Sequence, residues 1–196
     1  MCHICRGQAC LPLLQRMKAG MKYRKRNRLT RYDYSQNGYY FVTVCTKDKR
    51  EWFGSVENDM MVLNEYGQIA AKMWLEIPEH FKNIELDEFV IMPNHVHGII
   101  IIQNECVGNR HACSLRKPQS YILSVVIGSY KSAVTRHIHQ TKNGQHFHWQ
   151  KSFYDHVIRN ENELAFIREY ILNNPKKWDM DVENMNVGAV ATVPTS

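Results

Sequence analysis

Hydrophobic and polar positions recur along this chain in two different periods. Residues 39–46, Tyr-Tyr-Phe-Val-Thr-Val-Cys-Thr, are β-branched and aromatic and follow an Asn37-Gly38 turn, which predicts a strand. Over residues 64–81 the period lengthens: Ile69, Met73, Trp74, Ile77 and Phe81 fall at helical spacing, and Pro78 ends or kinks that helix. Residues 84–92 alternate through Leu86, Phe89 and Ile91 as a second strand. Pro93-Asn94 turns the chain, and residues 95–103 run back as a third strand, antiparallel to the second. Residues 104–119, with Gly, Asn, Ser and Pro, form a loop, and 120–140 an amphipathic helix. Asn143-Gly144 turns the chain toward a short strand at 153–158. Residues 162–174 then read as a helix with Leu164, Ile167, Ile171 and Leu172 on its apolar side, stopped by Pro175. The order β-α-β-β-α-β-α predicts an α+β protein. Its core is a ferredoxin-like antiparallel sheet with helices packed on one face and a further C-terminal helix.

Composition bounds this picture. At 44% hydrophobic and 11% aromatic over 196 residues, the chain buries a real core, which excludes wholesale disorder. The apolar-rich stretch at residues 96–102 is interrupted by His97 and Gly98 and falls short of the roughly 18 residues of a membrane span. Arg6 and Pro12 interrupt the region where an export signal needs continuous apolar sequence. The expectation is a cytoplasmic protein with no membrane partner. Residues 1–30 predict a basic, flexible arm, residues 31–178 the folded domain, and residues 179–196 a disordered tail. The six cysteines read as thiols in a reducing compartment. Cys2, Cys5 and Cys10 near His3, with Cys106 and Cys113 about His111, lack the paired CxxC spacing of a zinc knuckle.

Charge is segregated. The net charge of +6 resolves into +9 over residues 1–31, −7 over 32–109, +7 over 110–177 and −3 over 178–196. Two separate basic segments point to a polyanion, nucleic acid foremost.

The candidate chemistry lies in Met92-Pro93-Asn94-His95-Val96-His97. In a strand, residues i and i+2 share a face, so the imidazoles of His95 and His97 project together while Val96 faces the other layer. Two such imidazoles can share one metal ion, and a catalytic metal needs a third protein ligand. The last predicted helix offers one: Tyr170 and Asn174 are spaced i, i+4 on one face. An amide oxygen is a hard ligand suited to Mg²⁺ or Mn²⁺. A phenol one turn earlier is then beside a cation that helps it act as an oxyanion nucleophile.

Four ordered blocks carry a family resemblance: residues 32–43, Tyr-Asp-Tyr-Ser-Gln-Asn-Gly-Tyr-Tyr-Phe-Val-Thr; residues 90–98, Val-Ile-Met-Pro-Asn-His-Val-His-Gly; residues 149–160, Trp-Gln-Lys-Ser-Phe-Tyr-Asp-His-Val-Ile-Arg-Asn; and Ile167-Arg168-Glu169-Tyr170 through Asn174-Pro175. The chain resembles the REP-associated tyrosine transposases within the HUH single-tyrosine nucleases. The resemblance implies that His95, His97 and Asn174 hold a divalent metal, Mg²⁺ or Mn²⁺. It also implies that Tyr170 attacks a phosphodiester of single-stranded or hairpin DNA, leaving a 5′-phosphotyrosine link. Tyr154, beside His156, is the competing nucleophile. Candidate DNA contacts are Arg24, Lys25, Arg26 and Arg28 in the arm, with Lys131, Arg136, Lys151, His156, Arg159 and Arg168 in the domain. The protein is expected to work as a monomer or homodimer. The competing functions are a non-catalytic single-strand-binding module of the same fold and a metal-dependent hydrolase using activated water.

Overall fold

The computed structural model describes residues 37–103, 122–180 and 184. The basic arm with Arg24, Lys25, Arg26 and Arg28, the five cysteines considered above for zinc, and most of the expected tail lie outside the described residues.

Four antiparallel strands form the main sheet: β1 (Gly38–Cys45), β4 (Ile84–Ile91), β5 (His95–Ile102) and β6 (Tyr154–Ile158), in the order β4-β5-β1-β6. Helix α1 (Glu65–Leu75) connects β1 to β4, and α3 (Ile122–His139) connects β5 to β6. Each of these connections skips one intervening strand, so two split βαβ units interleave. The terminal helix α4 (Glu161–Leu172) follows β6.

Alternation along β5 assigns its residues to two layers. Val96, Gly98, Ile100 and Ile102 face α1 and α3. His95, His97 and Ile99 face α4. On the first side Trp74 of α1 stacks on Phe89 at 6.0 Å and meets Tyr130 of α3 edge-on at 5.1 Å. A Cβ at position 98 would lie 2.3 Å from the Trp74 indole, so only glycine admits that ring. On the second side Leu164, Ile167 and Ile171 of α4 cover Phe41, Ile99 and Ile158. The helices are therefore divided: α1 and α3 share one face, and the terminal helix covers the other.

Three local outcomes differ from the sequence pattern. The helix expected over 64–81 stops at Leu75. A separate short helix α2 (Ile77–His80) follows, with proline in its first turn, because Pro78 has no N–H to continue the ladder. Residues 54–63 form a hairpin, β2 (Gly54–Glu57) and β3 (Met60–Leu63), whose two-residue loop puts Asn58 and Asp59 at φ of 50° and 63°. The last helix ends at Leu172, and a 3-10 turn over Pro175–Met180 succeeds it. No helix among the described residues is long and apolar enough to cross a membrane.

Candidate active site

His95 and His97 are 0% and 2% exposed, and their rings lie 4.4 Å apart between centroids. Burial of two imidazoles requires that their ring nitrogens be engaged. Each Nδ1 meets an oxygen on a neighbouring element. Thr43, opposite His97 in the β1–β5 register, places Oγ1 2.9 Å from His97 Nδ1. Asn94, in the turn before β5, places Oδ1 2.8 Å from His95 Nδ1. The Asn94 amide is itself oriented, because its Nδ2 donates to the Lys49 carbonyl at 3.0 Å. Its Oδ1 therefore accepts, His95 Nδ1 carries the proton, and Nε2 of that ring presents a lone pair. The carbonyl that orients Asn94 comes from a tight segment in which Asp48 and Lys49 both adopt positive φ, 57° and 53°.

Helix α4 brings Tyr170 to this pair. Its phenolic oxygen lies 3.3 Å from His97 Nε2, and its ring lies 5.3 Å from that of His97. The contacts close consistently when Tyr170 O–H donates to Nε2 and Nδ1–H donates to Thr43. Phe41 stacks on His97 at 5.3 Å and meets Tyr170 edge-on at 6.1 Å, walling the arrangement from the sheet side. Asn174 is 1% exposed and lies just beyond α4, its N–H bonded to the Ile171 carbonyl. It is bracketed along the chain by Tyr170, which touches His97, and Trp178, whose ring lies 6.0 Å from His95. The expected i, i+4 spacing thus reaches across the helix end rather than along a continuous helix.

The donor set suits a divalent metal. Two neutral imidazoles, each with Nδ1 bonded to a fixed oxygen, are the pattern that orients metal-binding histidines. Among the described residues no group of three His, Cys, Asp or Glu gathers. The buried Asn174 carboxamide is the nearest in sequence to the tyrosine and of the right hardness.

The remaining expected residues divide. Arg136, Lys151 and Arg159 are exposed. Lys131 instead donates from Nζ to the carbonyls of Gln150 (2.7 Å) and Ser152 (3.2 Å), and burial lowers its pKa. His156 pairs through Nε2 with Glu163 Oε1 at 2.7 Å. Burial pushes the Glu163 carboxyl up, but the Arg159 N–H and His156 outweigh it and leave the carboxyl below its usual value. Arg168 grips Asp87 with Nε–Oδ1 at 2.9 Å and Nη2–Oδ2 at 2.6 Å. The hydrogen bond from Arg168 leads the causes that hold Asp87 below the ordinary carboxylate range. The competing tyrosine, Tyr154, packs against the α4 cluster. Burial, followed by the charge of Asp155, pushes its phenol up to about 12, which disfavours ionisation. Phe147 and Trp149 pack with Phe53 in an aromatic core, and the Trp149 indole donates to the Lys131 carbonyl.

Sequence reasoning had no hold on Thr43, Asn94, Asp87 or Glu163 as supporting groups. Asn94 adjoins the first histidine, which was a usable signal; Thr43 and Asp87 become visible only through sheet register and helix docking.

Comparison with known proteins adds ancestry to this geometry. No family model matches the sequence. An uncharacterised protein of Haemophilus influenzae is 38% identical over 174 residues, spanning 83% of this chain and 94% of its own length. A second Haemophilus influenzae protein, provisionally named a REP-associated tyrosine transposase, is 24% identical over 156 residues, 75% of each chain. The fold is shared with a solved REP-associated tyrosine transposase bound to a REP hairpin, with a TM-score of 0.51 and 23% identity over 76% of this chain and 73% of that one. The chain is thus similar in sequence to one protein provisionally named a REP-associated tyrosine transposase and shares its fold with another.

Proposed function

We propose that this protein is a metal-dependent single-stranded DNA endonuclease and strand transferase that works through Tyr170 on hairpin-forming repeat DNA. The observation that carries the reading is the Tyr170 phenol resting 3.3 Å from His97 Nε2, at a pair of buried histidines whose other nitrogens are held by Thr43 and Asn94. His95, His97 and Asn174 would hold Mg²⁺ or Mn²⁺; when bound, the ion supplies charge neutralisation at the non-bridging oxygens of the scissile phosphate.

The residues of the chain supply position. The Tyr170 oxygen attacks phosphorus in line and loses its proton as the new P–O bond forms. The P–O3′ bond breaks, a 3′-hydroxyl departs, and the 5′-phosphate stays on the tyrosine. One phosphodiester replaces another, so a second 3′-hydroxyl can reverse the step and join a different strand. Arg136, Lys151 and Arg159 on the domain, together with Arg24, Lys25, Arg26 and Arg28 of the arm, suit the phosphate backbone of such a strand.

The test is a hairpin oligonucleotide labelled at its 3′ end, incubated with protein and Mg²⁺ or Mn²⁺ and resolved on a denaturing gel. Wild type is expected to retain label covalently, with the adduct mapping to Tyr170, and Tyr170→Phe to lose the adduct entirely. Cleavage that persists in Tyr170→Phe would favour a hydrolase using water. Binding without cleavage in either metal would leave a binding module.

A further inference from the structure

The tyrosine helix is tied to both edges of the sheet. Strands β4 and β6 are the two outer strands, and α4 crosses between them on the histidine face. At its beginning, Asn160 caps the helix by accepting the Glu163 N–H at 2.9 Å. Glu163 then reaches β6, taking His156 Nε2 on one oxygen and the Arg159 N–H on the other at 2.8 Å. Five residues later, Arg168 reaches the opposite edge and forks onto Asp87 of β4. That carboxylate is held in turn by the Glu88 N–H at 2.7 Å, at the register irregularity between Leu86 and Phe89.

Between and just beyond the two ties, α4 packs on the sheet through the apolar side chains of Leu164, Ile167 and Ile171. Such contact resists lift-off but has little directional preference, so by itself it tolerates sliding and rotation of the helix. A bidentate guanidinium–carboxylate fork does specify direction. Tyr170 sits two residues beyond Arg168, and small displacements of a reacting group carry large rate penalties. The Arg168 side chain is 42% exposed, so the pair adds little to stability, whereas its geometry is specific.

We propose that Asp87–Arg168 and His156–Glu163 are positioning pairs that set the register of α4, and hence the place of the Tyr170 oxygen against His97, rather than DNA-phosphate contacts. The proposal rests on Tyr170 being the nucleophile.

It is tested with wild type, Asp87→Asn, Arg168→Lys and the swapped pair Asp87→Arg/Arg168→Asp. Three quantities are read: the single-turnover rate of adduct formation at saturating hairpin oligonucleotide with Mg²⁺, the Kd for that oligonucleotide, and the Tyr170–His97 ring contact by NMR in metal-free protein. Positioning predicts that both single variants slow adduct formation about tenfold or more while Kd stays within about twofold. Lysine fails because it keeps the charge but not the fork. The swapped pair regains most of the rate, and the ring contact weakens in the single variants and returns in the swap. Wild-type rates with an intact ring contact overturn the proposal. So does a Kd that weakens in Arg168→Lys and tightens in Asp87→Asn, the signature of a phosphate contact. If wild type forms no adduct, the nucleophile reading fails separately, and the ring contact decides whether the helix is positioned: its loss in Asp87→Asn upholds the tie, and its persistence overturns it.

Discussion

On the side of the sheet that meets α1 and α3, burial is filled with Trp74, Phe89, Tyr130 and the apolar half of β5. On the side that meets α4, burial of the same depth encloses His95, His97, Thr43 and Asn174. Apolar surface gains free energy simply by leaving water. Imidazoles, a hydroxyl and an amide lose it unless each finds a partner. The first layer therefore relies mainly on shape, and the second needs in addition a specific set of hydrogen bonds. Apolar packing contributes to both layers, and the candidate chemistry lies in the second, although a single strand borders both.

Substitutions on the two sides are expected to fail differently, and the largest effect belongs to the apolar layer. Trp74→Ala removes an indole that is 0% exposed and fills the notch at Gly98, and it is expected to lower unfolding free energy by about 3–5 kcal/mol in urea denaturation. A metal-affinity loss in its folded fraction as large as its stability loss would erase the contrast between the layers. Next comes Thr43→Val, which keeps shape but removes the oxygen on His97 Nδ1. Titration calorimetry is expected to show about 10–100-fold weaker binding of Mn²⁺, while stability falls by about 1–3 kcal/mol because the buried Nδ1–H loses its acceptor. Unchanged Mn²⁺ affinity would mean that the Thr43 contact merely satisfies a buried ring.

The smallest effect is the acid response of the tie between β4 and α4. Asp87 has its folded pKa depressed, so its contribution is complete above the unfolded carboxylate value near 4 and disappears as pH falls through the lower folded value. With Arg168 partly in solvent, screening limits the contribution to less than about 1 kcal/mol. Urea unfolding of wild type and Asp87→Asn at pH 6 is expected to differ by that amount, and the difference to vanish as Asp87 protonates. A difference that persists in strong acid would show that the pair acts through packing rather than charge.

Much of this was legible in the chain. Alternation in residues 39–46 and 95–103 located the central strands, and the HxH spacing alone put both imidazoles on one face. Asn174 was read as a metal ligand one helical turn after Tyr170; it is buried, and the helix ends before it. What escaped was whatever depends on distant partners. The pairing of Arg168 with Asp87 and of His156 with Glu163 could not be read, because a sequence shows a charge and not its neighbour; Asp87 is 81 positions away from Arg168 and Glu163 is on the next element after His156. The hairpin of residues 54–63 was missed because strands of four residues are too short to establish a period, and Asn58-Asp59 was the only cue.

The notch at Gly98 has a consequence for the tyrosine side that packing terms do not express. A strand displaced by one residue turns every side chain to the opposite layer. Were β5 to slip in that way, the imidazoles would confront Trp74, and Val96 and Gly98 would confront Tyr170. A slip of two would preserve the layers but bring the Cβ of Val96 or Ile100 against the indole. Only one alignment seats the ring, and it is the one that sets His97 across from Thr43. The indole thus works as a key that reads a missing side chain on one surface of the sheet and thereby indexes the reactive centre on the other.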